Sequence, residues 1–484
     1  MKNKILFFIK NEKENIILFF ISFFIIIIFI FLNNTSKSYF NEKDVFQEMI
    51  IKKQNERYKN ILEEKKIEIK VLKNRGCSVV LVEDKICDLK KESCDNFEKI
   101  PKNILCKKWE VFHVKKPKVL KSLYYTNYSG NSKNKQTKLL EMVKNTEINS
   151  VVIDIKEVDG KVSFNMDNFD FGKIKPVSLN IFKNPKDLIK KLHEKGVYVI
   201  GRIVVFKDEN LVKKRPDLSL KRLDTKKIWT DRSGKKYLDP NSKEVWDYTV
   251  NLSRAIYLTG FDEINFDYIR YPSDGDLNKI YFPFSQKEID KDEKWGMAKV
   301  IDKFFNYLTS KLRSEFPEIQ LSGDLFGYIA ITDDDLKIGQ LIESGVLYFD
   351  RVGPMTYPSH YNKHFLGLNS ADSNPYAVIK ATMKRISKKI DNLNEEIVLA
   401  KKENRKIFLR KNFPADIKTE DAKEISKDKV MIWLQGFNCT WCENYILYGK
   451  KQVQDQIRAA KEEGYNNWFI WNAASRYGDW FEKK

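Results

Sequence analysis

Asp267 and Asp324 are carboxylates that stand near the ends of two apolar runs, "EINFDYIRY" and "IQLSGDLFG". A desolvated carboxylate in a strand is costly unless it is paired or hydrogen-bonded, so its presence there needs a reason. Side chains alternate along a strand, so Glu263, Asn265 and Asp267 share one face and Ile264, Phe266 and Tyr268 the other. Two carboxyl groups at neighbouring strand ends suit the cleavage of a glycosidic bond. One, as the acid, protonates the departing oxygen, while the other attacks or activates water. Glu263 lies deeper on the strand and reads as an interior ion-pair partner of Arg202 or Lys156; Asp262 reads as an entry residue.

The elements that would position these groups recur along the chain. Apolar stretches at 122–128, 150–158, 197–206, 262–271, 319–327, 346–358, 430–437 and 466–473 predict eight strands. Amphipathic stretches between them predict helices at 134–146, 184–196, 242–260, 294–316 and 450–464, with a long charged helix after residue 374. This alternation predicts a parallel sheet closed into a (β/α)8 TIM barrel. No G-x-G-x-x-G or Walker loop follows the first strand, which argues against an open nucleotide-binding sheet. The last helix is expected to be missing or very short.

In such a barrel, the C-terminal strand ends carry the site. Polar and aromatic residues gather there: Asp154, Lys156 and Glu157 on the second strand, Arg202 on the third, and Asp267, Tyr268 and Arg270 on the fourth. Asp324 follows on the fifth, Tyr357, Ser359 and His360 on the sixth, Gln435 on the seventh, and Trp471 and Asn472 on the eighth. Each has a plainer reading, in which Asp154 pairs with Lys156 or Arg202 and Arg270 neutralises Asp267. The collective placement favours a site, with Tyr268, Tyr357, Trp433 and Trp471 available to stack on sugar rings. Four histidines do not suit a multi-histidine metal centre, and no cofactor motif is present. A Ser359–His360 triad is not expected, because adjacent residues on an extended segment point apart and no G-x-S-x-G elbow exists.

The chain has 484 residues, 42% of them hydrophobic, with 87 basic residues against 67 acidic. The lysines are scattered and show no nucleic-acid-binding motif, so no nucleic acid partner is expected. Ile16 to Leu32 is apolar apart from Ser22 and follows Lys2, Lys4, Lys10 and Lys13. This pattern predicts a single transmembrane anchor with the remainder outside the cytoplasm. The expected organisation is a cytoplasmic N-terminus and anchor (1–33), a helical stalk (34–75), a small cysteine-bearing segment (76–117) and the barrel (118–484). Cys77, Cys87, Cys94 and Cys106 lack zinc-ribbon spacing, and the C-x-x-C of Cys439 and Cys442 reads as a small disulfide stapling a loop.

"VVIDIKEVDG", "LDPNSKEVWDY", "GFDEINFDYIRYPSDG", "SGDLFG", "GPMTYPSHY" and "WLQGF" together resemble the putative glycosyl hydrolase domain family (DUF4015) over roughly residues 118 to 475. The resemblance implies a glycoside hydrolase-like barrel acting on a polysaccharide. It carries over Asp154, Lys156, Arg202, Asp267, Arg270, Asp324, Tyr357, His360 and Gln435 as candidate site residues. The paired carboxylates themselves give the catalytic roles to Asp267, as nucleophile or base, and Asp324, as general acid, or the reverse. Gly436 departs from the pattern, since relatives typically carry an acid there. That departure keeps a second expectation open: a non-catalytic glycan-binding or wall-tethering protein on the same scaffold.

Overall fold

The computed structural model describes residues 113–442 and 445–484, together with a two-stranded antiparallel pair, Leu81–Val82 and Lys85–Ile86. The expected anchor and stalk, and the first four cysteines, lie outside the described residues. Among the described residues, no helix is long and apolar enough to cross a membrane.

Eight parallel strands form the centre: β1 (Lys121–Tyr125), β2 (Ser150–Lys156), β3 (Tyr198–Val204), β4 (Glu263–Asp267), β5 (Gln320–Phe326), β6 (Arg351–Met355), β7 (Met431–Gln435) and β8 (Asn467–Trp471). Each pairs with its sequence neighbours, and β1 pairs with both β2 and β8, so the sheet closes. The principal helix after each of the first seven strands is α1 (Lys133–Asn145), α2 (Pro185–His193), α3 (Lys243–Tyr257), α4 (Gly296–Glu315), α5 (Ile342–Tyr348), α6 (Pro375–Lys402) and α7 (Lys450–Glu462). This is the (β/α)8 barrel that the sequence predicts. Among the described residues, no helix follows β8. Instead the terminal residues run back across the start of the barrel, where Phe481 stacks on Trp468 and the Lys484 amide donates to Asn145 O over 3.1 Å.

Alternation along each strand divides two cores. Val151, Ile153, Ile155, Ile264, Phe266, Leu321, Leu325, Ile432 and Leu434 face the helices. Tyr124, Val152, Tyr198, Ile200, Met431, Trp433 and Phe469 fill the barrel. The interior is also polar in layers. Near the strand starts, Glu263 is ion-paired with Arg351 and accepts from Tyr198 Oη at 3.1 Å. The expected partners, Arg202 and Lys156, are therefore replaced by an arginine from β6. Above that layer, Asn265 donates to Ser322 over 3.1 Å, and Ser122 meets Ser150 at 3.1 Å. Asp262 caps the lower end by accepting from the Val114 and Val199 amides, both at 2.7 Å.

Two strand ends differ from the predicted spans. The fourth strand stops at Asp267, because Tyr268 adopts a left-handed backbone conformation (φ 52°) that breaks the ladder. The sixth begins at Arg351, because the apolar residues 346–348 complete α5.

Candidate active site

Arg202, pointing into the barrel from β3, organises the C-terminal mouth. Its Nη1 lies 2.5 Å from Asp154 Oδ1 on β2, its Nη2 bonds Asp267 Oδ2 on β4, and its Nε lies 3.7 Å from Asp324 Oδ2 on β5. Three carboxylates from three strands thus surround one guanidinium. The register explains how: Val204 pairs with Asp267, and Gly323 with Phe266, so Asp267 and Asp324 rise beside each other on adjacent strands.

The two carboxyl groups differ in setting. Asp267 accepts from Arg202 and from the Tyr268 amide at 2.5 Å, both of which stabilise a negative charge. Asp324 is 1% exposed. Its Oδ1 accepts from Asn265 Nδ2 at 2.9 Å and from Trp433 Nε1 at 2.6 Å. Burial and then the Asp267 charge push its carboxyl up to about 8, against the pull of Arg202. Burial thus favours the protonated form of Asp324. Asp154 is raised as well, chiefly by burial, and accepts from Tyr124 Oη.

The room for the Trp433–Asp324 bond comes from β6. A Cβ on Gly353 would stand 2.7 Å from Asp324 Oδ1 and 2.9 Å from Trp433 Nε1. Trp433, expected as a sugar platform, is 1% exposed and instead acts as a hydrogen-bond donor inside the barrel. At the rim, Trp471 and Phe437 are half-buried and meet edge-to-face at 4.9 Å, and the buried Tyr357 sets its ring 5.6 Å from that of Trp471. His360 is exposed and sets its ring against Tyr357 at 5.4 Å.

Several expected substrate contacts are engaged elsewhere. Lys156 is buried, donates to Val204 O at 2.6 Å and pairs with Asp208 at 2.8 Å. Gln435 is fully buried: its Nε2 donates to Asp372 and Phe437 O, and its Oε1 accepts from the Ser359 amide at 2.9 Å. It fixes rim loops and has no polar atom left for a sugar. Asn472 likewise donates to Gly436 O and accepts from the Ala474 amide at 3.0 Å. Arg270 donates to Tyr271 O at 3.0 Å and lies over the rings of Tyr268 and Phe326, and Asp267 is ion-paired with Arg202 in its place. Tyr268 is half-buried between Lys207 and Arg270. Ser359 and His360 do meet, at 3.1 Å, because they occupy a 3-10 turn (Pro358–His360) rather than an extended segment.

Tyr124, Asn265 and Gly353 carry no site signal in the sequence, because their contacts cross the barrel between distant segments. Glu157 is a strand-end acid in the sequence. It is half-buried at the end of β2, and burial together with the Asp154 charge raises it to about 7.

Fold and site define a glycoside hydrolase-like barrel. The chain belongs to the family described as the putative glycosyl hydrolase domain (DUF4015), whose model matches residues 122–405 and 409–477. Among solved structures, a hypothetical protein from Ruminiclostridium thermocellum is similar at 29% identity, over 42% of this chain and 96% of that one, with a TM-score of 0.35. The PgaB (BpsB) glycoside hydrolase domain from Bordetella bronchiseptica is similar at 10% identity, over 73% of this chain and 94% of that one, with a TM-score of 0.49. The α-galactosidase TtGalA from Thermus thermophilus, in complex with stachyose, is similar at 12% identity, over 76% and 64%, with a TM-score of 0.41. No curated protein matches the chain.

Proposed function

We propose that this protein is a membrane-anchored, extracytoplasmic glycoside hydrolase that cleaves a cell-surface or extracellular polysaccharide. One observation carries the reading: Asp267 and Asp324 stand side by side at the mouth, one held by a guanidinium and an amide, the other buried against Asn265 and Trp433. Two carboxyl groups in such different surroundings divide naturally into nucleophile and acid. Asp267 attacks the anomeric carbon as Asp324 gives its proton to the departing oxygen. The resulting glycosyl ester on Asp267 is then hydrolysed by water, with Asp324 now acting as base. This two-step route retains the anomeric configuration, which the first product reads. Arg202 holds the charge of Asp267, and Tyr357 and Trp471 stack on the sugar. The apolar segment from Ile16 to Leu32 supports the anchor, and the Cys439–Cys442 disulfide suits an oxidising compartment.

The test is reducing-end release by the detergent-solubilised full chain from a panel of bacterial wall and capsular glycans, with anomeric proton NMR of the first product. Asp267→Asn and Asp324→Asn are each expected to lower turnover by at least a thousandfold while leaving binding intact. The near-complete burial of Asp324 favours one alternative, a glycan-binding protein without catalysis. Binding with no cleavage by the unmodified chain would establish that alternative.

A further inference from the structure

Beyond β7 the chain turns through "GFNCTWCEN", and the Cys439–Cys442 disulfide closes a four-residue loop whose Cys442 amide also donates to Cys439 O at 2.8 Å. Cys439 is fully buried, whereas Trp441 between the two cysteines is 71% exposed. Its indole lies parallel to Phe437, with an interplanar angle of 9° and centroids 6.1 Å apart. The indole is thus held flat beside Phe437 with most of its surface open to solvent.

The ring is also continuous with the mouth. Centroid steps of 6.1 and 4.9 Å lead from Trp441 through the half-buried Phe437 to Trp471 at the rim. These steps place the indole no more than about 11 Å from Trp471, so a sugar chain that reaches past the rim meets it. The loop is tied down on both sides: Asn438 accepts from the Tyr448 amide at 2.7 Å, and Asp372 accepts from the Ile446 amide at 3.2 Å.

We infer that Trp441 is an outer glycan-binding platform, in which the disulfide presents the indole to the apolar face of a sugar ring several residues from the bond being cleaved. The inference rests on reading the barrel mouth as a glycan site. An aromatic face suits a pyranose ring because axial C–H groups meet the π-cloud while the equatorial hydroxyls stay solvated. The platform thus discriminates by chain length: short ligands that fill only the mouth do not reach it.

The experiment uses the full chain in detergent and follows tryptophan fluorescence during titration with β-1,4-linked glucose and N-acetylglucosamine oligomers and with α-linked galactose oligomers, each of two to eight residues. At least one series is expected to bind more tightly as it lengthens. Trp441→Ala is expected to weaken its longest member about fivefold to tenfold and leave the dimer unchanged. Trp441→Phe should restore most of the affinity, and Cys439→Ser/Cys442→Ser should weaken long ligands in the same direction. Equal affinity of Trp441→Ala for long and short oligomers overturns the inference, as does the absence of length-dependent binding in every series. Trp441-dependent binding to phosphatidylglycerol vesicles, without any dependence on glycan, also overturns it. The hydrolase reading fails separately: cleavage lost in Asp267→Asn with Trp441 immaterial removes only the platform, while Trp441-dependent binding without cleavage removes only the hydrolase.

Discussion

One guanidinium among three buried carboxylates leaves negative charge in excess, and protonation of Asp324 reduces it. Arg202→Met would leave those carboxylates without their cation. Such a change costs about 3–5 kcal/mol of stability, to be read by urea unfolding, and activity is expected to vanish. Arg202→Lys is expected to fail as well, since one ammonium cannot reproduce the planar fork that reaches three strands. A finer probe is Trp433→Phe, which removes the 2.6 Å bond to Asp324 Oδ1. That bond favours the ionised carboxyl, so its loss raises Asp324 further. The alkaline limb of the pH–rate profile should shift upward, and an unmoved limb would remove Asp324 as the acid.

At the scale of elements, the strand ends place these groups, and two backbone positions show how tightly. Tyr268 follows Asp267 at φ 52°, where its amide bonds the Asp267 carboxylate. A left-handed non-glycine residue stores about 1–3 kcal/mol of strain. Tyr268→Gly should relieve part of that strain and lower activity by loosening Asp267, whereas Tyr268→Val should destabilise; thermal unfolding separates the two. At Gly436, a Cβ would lie 2.6 Å from Ile470 Cγ2 and 3.2 Å from Trp471 O. A side chain there crowds this backbone, so Gly436→Asp is expected to destabilise by about 1–3 kcal/mol and not to raise activity. The eight strands were legible as apolar runs alternating with amphipathic helices, and period-two alternation on β4 placed Glu263, Asn265 and Asp267 on the inward face. What the alternation does not encode is which donors each polar group has already satisfied. Lys156, Gln435 and Asn472 look available at strand ends and are engaged by Asp208, Asp372 and Gly436, partners remote or unremarkable in sequence. Tyr268 and Ser359 escaped because a left-handed residue and a 3-10 turn leave no periodic signal.

Across the whole molecule, the buried acids couple folding to protons. Asp324, and Asp154 in the same direction, hold protons in the folded state at pH values where the unfolded chain has released them. The folded state then binds more protons than the unfolded one, so this contribution to stability falls as pH rises from about 4 towards 8. Asp324→Asn should flatten that decline in thermal unfolding between pH 5 and 8, and an unchanged slope would show that Asp324 is not the group responsible. The run of chain after β8 has a different consequence. Where the other strands are followed by helices, the junction of the last strand with the first is covered by a thin strap, with Phe481 on Trp468 and Lys484 on Asn145. A circle of eight staves is sound only while its hoop is fastened. Amide hydrogens along the β8–β1 edge should therefore exchange with solvent sooner than those between β3 and β4, making this joint the place where the barrel first parts.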